Sequence, residues 1–341
     1  VFAEDKKSYA EEIIGDENDV FSYSNVGWAG IKTKYFIKAI TNQKHAANKT
    51  NNVSFATKKT MVTNNEDFLY PDISSDYGVG NESLYVYSYI GPIDTQRLSE
   101  SKTEHLVQLF GFGWFIIGYL AKLILWLLTS LYVFIPNYGI ICILFAFIIR
   151  LFTGPLTKQS FLSNQKMQTV QPKMKKLQEK YKDDQTKLSQ ATMELYKKEG
   201  VNPLGGCLPI LVQMPLLIAL FQVFRKTIEF RGAEFLPFWI TDLSQPDIII
   251  QLPFMASVPG LGYFFGNGLA LLPIIMGVIM FLSMQMTAVS SPDPSAKFAM
   301  YFMNGFFILL FNTFPSGLNL YYTVYNILNF LQQRQLKKIQ S

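Results

Sequence analysis

Residues 138–157, YGIICILFAFIIRLFTGPLT, form an apolar run that carries a single charge, Arg150. An apolar run of about 20 residues is long enough to cross the hydrocarbon core of a bilayer as a helix. At about 1.5 Å per residue, Arg150 lies roughly 18 Å into this run. An arginine at the centre of a membrane helix costs roughly 2.5–3.5 kcal/mol. We therefore expect Arg150 to face a helix bundle or a hydrated cavity, or else to extend towards the phosphates of the cytosolic surface.

Further apolar runs follow, at about residues 204–226, 269–287, 298–314 and 317–334. The whole chain has only 16% charged residues, against roughly 25% in an average soluble domain. Because the deficit falls after residue 109, the chain divides into a polar part, 1–105, a connecting segment, 106–136, and a membrane part, 137–341. The membrane part is predicted to be an all-α bundle of five core transmembrane helices.

The polar part, residues 1–105, is predicted to belong to a β-rich extracytoplasmic domain. Residues 83–90 alternate tyrosine with other residues before a Gly-Pro turn, which is typical of a half-buried strand. Residues 28–40 are a second candidate strand, and residues 46–60 are predicted to be a polar loop. The chain begins at Val1 without a methionine or a signal peptide, so we expect a segment to precede it.

The connecting segment contains an apolar stretch, 110–135, interrupted by Lys122. Its polar and amphipathic residues lie three and four apart, on one face of a helix: Tyr119, Lys122, Trp126 and Thr129. A helix with one such stripe can lie in the membrane interface instead of crossing it. Composition alone leaves both placements open. A crossing helix puts residues 1–105 in the cytosol, and an interfacial helix puts them outside.

Residues 158–200 are predicted to form a helical hairpin in water. They hold ten lysines against five acidic residues, and Asp183-Asp184 marks the turn between two helices. Because cytoplasmic loops carry the excess of Lys and Arg, the hairpin is placed in the cytosol. Alternating the spans from there puts the basic C-terminus in the cytosol as well. With few bulky apolar anchors, the hairpin is expected to be mobile.

The later spans contain neutral polar side chains and no Asp or Glu. Gln213, Gln285 and Asn312 either contribute to a site that receives negative charge from outside or hydrogen-bond neighbouring helices. Methionines recur in the third and fourth spans, at Met276, Met280, Met284, Met300 and Met303. They predict helix packing, lipid contact or an adaptable apolar surface for varied partners. The sequence has no catalytic pair, metal motif or phosphate loop, so we expect neither an enzyme nor a cofactor.

A series of short motifs runs through roughly residues 85–341. They are YIGP at 89–92, GWF at 113–115, FIIRLFTGPLTK at 147–158, MQTVQPKM at 167–174, LYKKEGVNPLGGCLP at 195–209, QMP at 213–215, WITDLS at 239–244, FPSGL at 314–318 and YY at 321–322. In order and spacing they resemble the bacterial, YidC form of the YidC/Oxa family of membrane protein insertases. Some members of that family have a hydroxyl residue where this chain has Ala146.

The resemblance implies five core helices with the hairpin between the first two, and a hydrated groove that contains Arg150. Tyr322, in the last motif, is expected to line the same groove, and the methionines are expected to form a hydrophobic slide. The resemblance also makes 110–135 an interfacial helix and 1–105 the C-terminal part of a periplasmic β-supersandwich. The C-terminus is then cytosolic, and a first membrane helix is expected to precede Val1.

The implied function is that of an insertase and folding chaperone of the bacterial inner membrane, acting through the groove alone or with the Sec translocon. Expected partners are nascent membrane proteins, the Sec translocon, membrane lipids, and a ribosome at the hairpin and basic C-terminus. A secondary transporter or channel subunit is the alternative, although the inverted repeat that would favour it is not found. A third interpretation is a passive folding chaperone or Sec assembly partner, which the sequence does not distinguish from an insertase.

Overall fold

The computed structural model describes residues 2–5, 8–11, 20–24, 26–32, 35–42, 51–62, 66–77, 86–93, 115–182, 184–202, 205, 208–252, 254, 262, 266, 268–287 and 294–340. The chain divides into two compact units. The first contains Val1–Gly111 with Lys226–Ile228, and the second contains Phe112–Arg225 with Glu229–Ser341. The first unit is built of strands and the second largely of helices.

The first unit contains two antiparallel sheets. Its described strands are β1 (Phe2–Asp5), β2 (Ser8–Glu11), β3 (Val20–Ser24), β4 (Val26–Lys32), β5 (Phe36–Asn42), β6 (Asn51–Val62), β7 (Glu66–Tyr77) and β8 (Val86–Pro92). One sheet has the order β2-β1-β4-β5-β8 and the other has the order β3-β6-β7. In β5 and just before it, Tyr35, Ile37 and Ala39 are buried while Phe36 and Lys38 are exposed. This alternation is that of a strand with one buried face.

One strand prediction and one loop prediction for this unit need correction, and a second strand prediction falls partly outside the described residues. The expected strand at 28–40 is two strands, β4 and β5, which pair with each other. The polar loop expected at 46–60 is wrong over 51–60, because Asn51–Val62 is β6 and pairs along its whole length with β7, and residues 46–50 lie outside the described residues. Cross-strand pairing outweighs weak local propensity in a polar segment. Of the strand expected at 83–90, residues 86–90 lie in β8 and residues 83–85 lie outside the described residues.

The second unit contains seven described α-helices and a short ladder. The helices are α1 (Phe115–Tyr132), α2 (Tyr138–Lys180), α3 (Gln185–Glu199), α4 (Leu208–Lys226), α5 (Leu271–Thr287), α6 (Pro294–Phe311) and α7 (Ser316–Gln340). The ladder pairs β9 (Ile248–Gln251) with β10 (Gly268–Ala270), just before α5. Among the described residues, α2 is long and apolar enough to cross a membrane, and shorter apolar helices span Ile116–Tyr132, Leu271–Met286 and Tyr301–Phe311.

Helix α2 is continuous over 43 residues, so the expected first span and the first arm of the expected hairpin are one element. The side chain of Asn137 caps its start by accepting from the Ile140 N–H. Pro155 and Pro172 lie inside the helix, where each removes one backbone donor. Asp184 caps the start of α3 by accepting from the Lys187 N–H, and Asp183 lies outside the described residues.

The start of helix α7 is buried, since Leu318, Tyr321 and Tyr322 lie in the core. Tyr321 packs against Phe145 of α2, with ring centroids 5.4 Å apart. On another side, the Thr323 hydroxyl donates to the Leu272 carbonyl of α5 at 3.3 Å. Helix α7 therefore lies between α2 and α5, and it presents side chains to both.

Candidate functional site

Arg150 lies on α2 and is half-buried among neutral side chains. Its Nη1 donates to the Thr157 hydroxyl at 3.2 Å, and its Nη2 donates to the Gln332 Oε1 of α7. Its guanidinium carbon lies 5.6 Å from the ring centroid of Tyr325. The Tyr325 hydroxyl is in turn 3.1 Å from the Thr153 hydroxyl. Two helices thus hold the guanidinium through hydrogen bonds and a cation–π contact.

Helical periodicity explains why these groups meet. Thr153 and Thr157 follow Arg150 by three and seven residues, which puts all three on one face of α2. Tyr325 and Gln332 are seven residues apart on α7 and share one of its faces. Packing α7 against α2 brings the two faces together. The site is therefore a product of two polar stripes on two helices that are far apart in sequence.

Among the described residues, the partners of Arg150 are Thr157, Gln332 and Tyr325, which are all neutral, and no carboxylate pairs with it. Neutral acceptors satisfy some of its five N–H donors and leave its charge in place. A half-buried charge interacts more strongly with an approaching ion than an exposed one does, because the surrounding dielectric is lower. The arrangement can therefore attract an anionic group from outside the bundle.

Gln213 of α4 and Tyr322 of α7 lie close to this site. The Gln213 side chain is next to the hydroxyls of both Tyr321 and Tyr322. Within the described part of the chain, its Nε2 and the two hydroxyls are buried without a hydrogen bond of ordinary geometry. Tyr321 stacks on Tyr325 at 6.0 Å between centroids, which connects this group to Arg150. Three of the expected groove residues, Arg150, Gln213 and Tyr322, are therefore connected through the rings of Tyr325 and Tyr321.

The other two expected groove residues are placed differently. Gln285 is exposed near the end of α5. Asn312, just after α6, is buried, and its side chain donates to the Gly268 carbonyl at 2.8 Å and accepts from the Ala270 N–H at 2.9 Å. The Asn312 amide therefore donates one hydrogen bond to β10 and accepts one from it, as the backbone of a neighbouring strand would.

The methionines expected to form a slide do not share one environment. Met276 is buried, with 1% of its surface exposed, whereas Met303 is 45% exposed. Met280 and Met284 are half-buried, and the side chain of Met300 lies outside the described ones. The exposed apolar surface of α5 and α6 is instead mostly aliphatic and aromatic, and it includes Ile274, Val278, Phe281, Leu282, Phe298, Tyr301 and Phe302.

Sequence reasoning missed Thr157, Tyr325 and Gln332 as partners of Arg150. A signal was present in the seven-residue spacing of Arg150 to Thr157 and of Tyr325 to Gln332. It is weak, since polar residues at helical spacing also occur on exposed faces. No three His, Cys, Asp or Glu side chains in the described ranges come together as a metal site.

Two family models match the chain. Residues 130–341 match the family described as the 60Kd inner membrane protein, and residues 2–127 match the YidC periplasmic domain. The first match alone covers more than half of the chain. The two matched regions follow each other as the strand-rich and helical parts do.

Curated proteins named membrane protein insertase YidC are similar over nearly the whole chain. That of Prosthecochloris aestuarii is 37% identical over 343 residues, which cover 99% of this chain and 55% of that protein. That of Chloroherpeton thalassium is 37% identical over 319 residues, which cover 91% and 52%. The chain thus spans about half the length of the curated relatives it matches. A crystal structure of an active YidC insertase with its first transmembrane domain resolved is 18% identical, with a TM-score of 0.49, over 97% of this chain and 82% of that one.

Proposed function

The chain belongs to the family of the 60Kd inner membrane protein and the YidC insertases, and on that basis we propose that it inserts newly made proteins into the bacterial inner membrane. The observation that carries the proposal is Arg150, a half-buried cation on an apolar helix with only neutral partners among the described residues. The family relationship favours this function over the secondary transporter or channel subunit that the sequence also allowed.

In the proposed mechanism, Arg150 receives the negative charge of a substrate segment that has to cross the bilayer. We place a hydrated groove beside Arg150, Gln213, Tyr322 and Tyr325. It reduces the thickness of hydrocarbon that this polar segment has to cross. The buried polar atoms of Gln213 and Tyr322 make no hydrogen bond of ordinary geometry, which supports such hydration because buried polar groups need a well-placed partner or a water molecule. The groove would act without a nucleotide, a cofactor or an enzymatic step.

The apolar part of the substrate then leaves the groove along α5 and α6. Val278 is 54% exposed and Phe302 is 59% exposed, so these helices offer an apolar surface that matches lipid. Burial of apolar area, at about 25 cal/mol per Å², supplies the driving force for the last step. The slide proposed here includes Met303 and its exposed aliphatic and aromatic neighbours. The same surface would let the protein act as a folding chaperone.

The proposed topology has five crossing segments: the first half of α2, then α4, α5, α6 and α7. The lysine-rich end of α2 and helix α3 then lie in the cytosol, with the C-terminus, and the β-rich unit lies in the periplasm. Helix α1 is proposed to lie along the outer interface. Its buried face carries Ala121, Ile124 and Leu128, while Lys122 and Trp126 are exposed, and tryptophan favours the interface.

Nascent membrane proteins are the proposed substrates, and the Sec translocon, membrane lipids and a ribosome are the proposed partners. Helix α3 has no fully buried residue among those described, and its face away from α2 is open to a cytosolic partner such as the ribosome. Labelling of a cysteine at position 83 with an impermeant reagent tests the topology. Intact spheroplasts should be labelled, and labelling only after lysis would refute a periplasmic first unit.

The function is tested with the protein in liposomes and a single-span substrate with an acidic translocated segment. Arg150→Ala should lower insertion about tenfold, the effect of losing one charge-assisted contact, and Arg150→Lys should retain part of the activity. Arg225→Ala is the control, because Arg225 is exposed and its charge lies over Phe221. Equal insertion by the Arg150→Ala variant and the unchanged protein would refute the proposal.

A further inference from the structure

The side-chain amide of Gln332 makes two hydrogen bonds to α2, one with the Arg150 side chain and one with the backbone. Its Oε1 accepts from Arg150 Nη2, and its Nε2 donates to the Gly154 carbonyl at 3.2 Å. Rotating the amide by half a turn would set its NH₂ against the guanidinium and its oxygen against a carbonyl. Both contacts would then be repulsive, so hydrogen bonding determines one orientation of the side chain.

The Gln332 oxygen occupies a position that a carboxylate oxygen would take. It accepts a hydrogen bond from the guanidinium, yet it carries no charge, so Arg150 keeps its net positive charge. The bond from the guanidinium to Gln332 is charge-assisted on one side only, whereas a carboxylate adds the opposite charge and can accept from a guanidinium in a bidentate manner. An incoming carboxylate can therefore displace the Gln332 oxygen, while a neutral polar group gains little by doing so.

We propose that Gln332 is a specificity-determining residue. It is a neutral acceptor that positions Arg150 in the absence of substrate, and the carboxylate of an acidic substrate segment displaces it. This inference rests on the proposed insertase function. It requires that position 332 be neutral: a carboxylate there would form an internal ion pair with Arg150 and compete with the substrate. Thr157 and Tyr325 remain in contact with the guanidinium when Gln332 is displaced, so Arg150 stays oriented towards the substrate.

The test compares two substrates that differ only in the translocated segment, one with Asp and Glu and one with Asn and Gln. Gln332→Glu should lower insertion of the acidic substrate about tenfold and leave the neutral substrate nearly unchanged. Gln332→Met keeps the length of the side chain and the charge of Arg150, so the preference for the acidic substrate should persist. Gln335→Glu is the matched control, since Gln335 is exposed on the same helix, and it should behave as the unchanged protein.

The two substrates distinguish a role of Gln332 in specificity from a role in packing. An equal loss for both substrates in Gln332→Glu would indicate a packing role and overturn it, as would full insertion of the acidic substrate. Arg150→Ala is run in parallel to separate the two proposals. If Arg150→Ala lowers insertion and Gln332→Glu does not, only the role of Gln332 fails. If Arg150→Ala has no effect, the proposed function itself fails.

Discussion

The side chain of Asp247 accepts a hydrogen bond from the backbone N–H of Leu272 at 2.8 Å, across 25 residues of sequence. Leu272 lies in the first turn of α5, so Asp247 serves as a helix cap that comes from a distant loop. The Asn312 amide binds β10 on the same approach to α5. Side chains from two other segments therefore determine where α5 begins.

Asp247→Ala is expected to lower the free energy of unfolding by about 1–2 kcal/mol, because α5 loses an acceptor in its first turn. Asp247→Asn retains an oxygen acceptor and should cost less. Thermal unfolding of the purified protein in detergent measures both variants. Equal losses would contradict the capping role of the Asp247 side chain.

The stability contributed by Asp247 is expected to depend on pH. Burial raises the pKa of its carboxyl from 3.8 to about 6, and the hydrogen bond from the Leu272 N–H opposes this rise in part. Since the folded protein then holds the proton more tightly than the unfolded chain, stability falls as the pH rises from about 4 to about 6 and is level above. The fall is about 3 kcal/mol at most.

Asp247→Asn removes this titration. The difference in unfolding free energy between the variant and the unchanged protein should therefore change between about pH 4 and pH 6, and stay constant at higher pH. Denaturation in detergent across this pH range provides the measurement. A constant difference throughout would mean that the Asp247 carboxyl titrates at its ordinary pKa.

Asn312→Asp should destabilise the protein by about 3 kcal/mol, because a buried carboxylate would face the Gly268 carbonyl without a donor between them. Thr313→Asp introduces the same charge at the adjacent, exposed position and should change stability by less than about 1 kcal/mol. Unfolding midpoints of the two variants give the comparison. Similar midpoints would show that the Asn312 amide does not hold β10.

Gly268 is expected to tolerate no side chain. A Cβ there would overlap the carbonyl oxygen of Ile250 on the paired strand, so Gly268→Ala has to move the backbone and should cost about 1–3 kcal/mol. Gly305→Ala, inside α6 with open space around it, should instead stabilise the protein by up to about 1 kcal/mol. Thermal unfolding of the two variants is the test. If both lose stability equally, the loss of Gly268→Ala comes from replacing a glycine and not from the close approach of the Ile250 carbonyl oxygen.

A photoreactive amino acid at position 303 or 278 is expected to crosslink to a nascent chain during insertion, because both side chains are exposed on apolar helices. The same group at position 276 should capture little, since Met276 is buried. Crosslinked products are quantified by gel electrophoresis with a labelled substrate. Capture from position 276 as strong as from position 303 would contradict the proposed slide.

The sequence was sufficient for the broad architecture. A polar, tyrosine-rich part before an apolar part predicted strands followed by helices, and the family models match the two parts in that order. Residues 51–60 were the exception, since β6 forms there by pairing with β7. Hydropathy and helical periodicity depend on neighbouring residues, so they can be evaluated along the chain. Strand pairing depends on a partner segment elsewhere, and a polar segment gives little sign of it.

The sequence alone also identified Arg150, because one charge in an apolar run is a local feature. Only the tertiary structure supplied its partner Gln332, 182 residues later, and placed Asn312 against β10. It likewise buried Met276 and exposed Met303, although both are methionines on apolar helices. Which face of a helix points inwards depends on its rotation against its neighbours, and the close packing of whole side-chain surfaces determines that rotation.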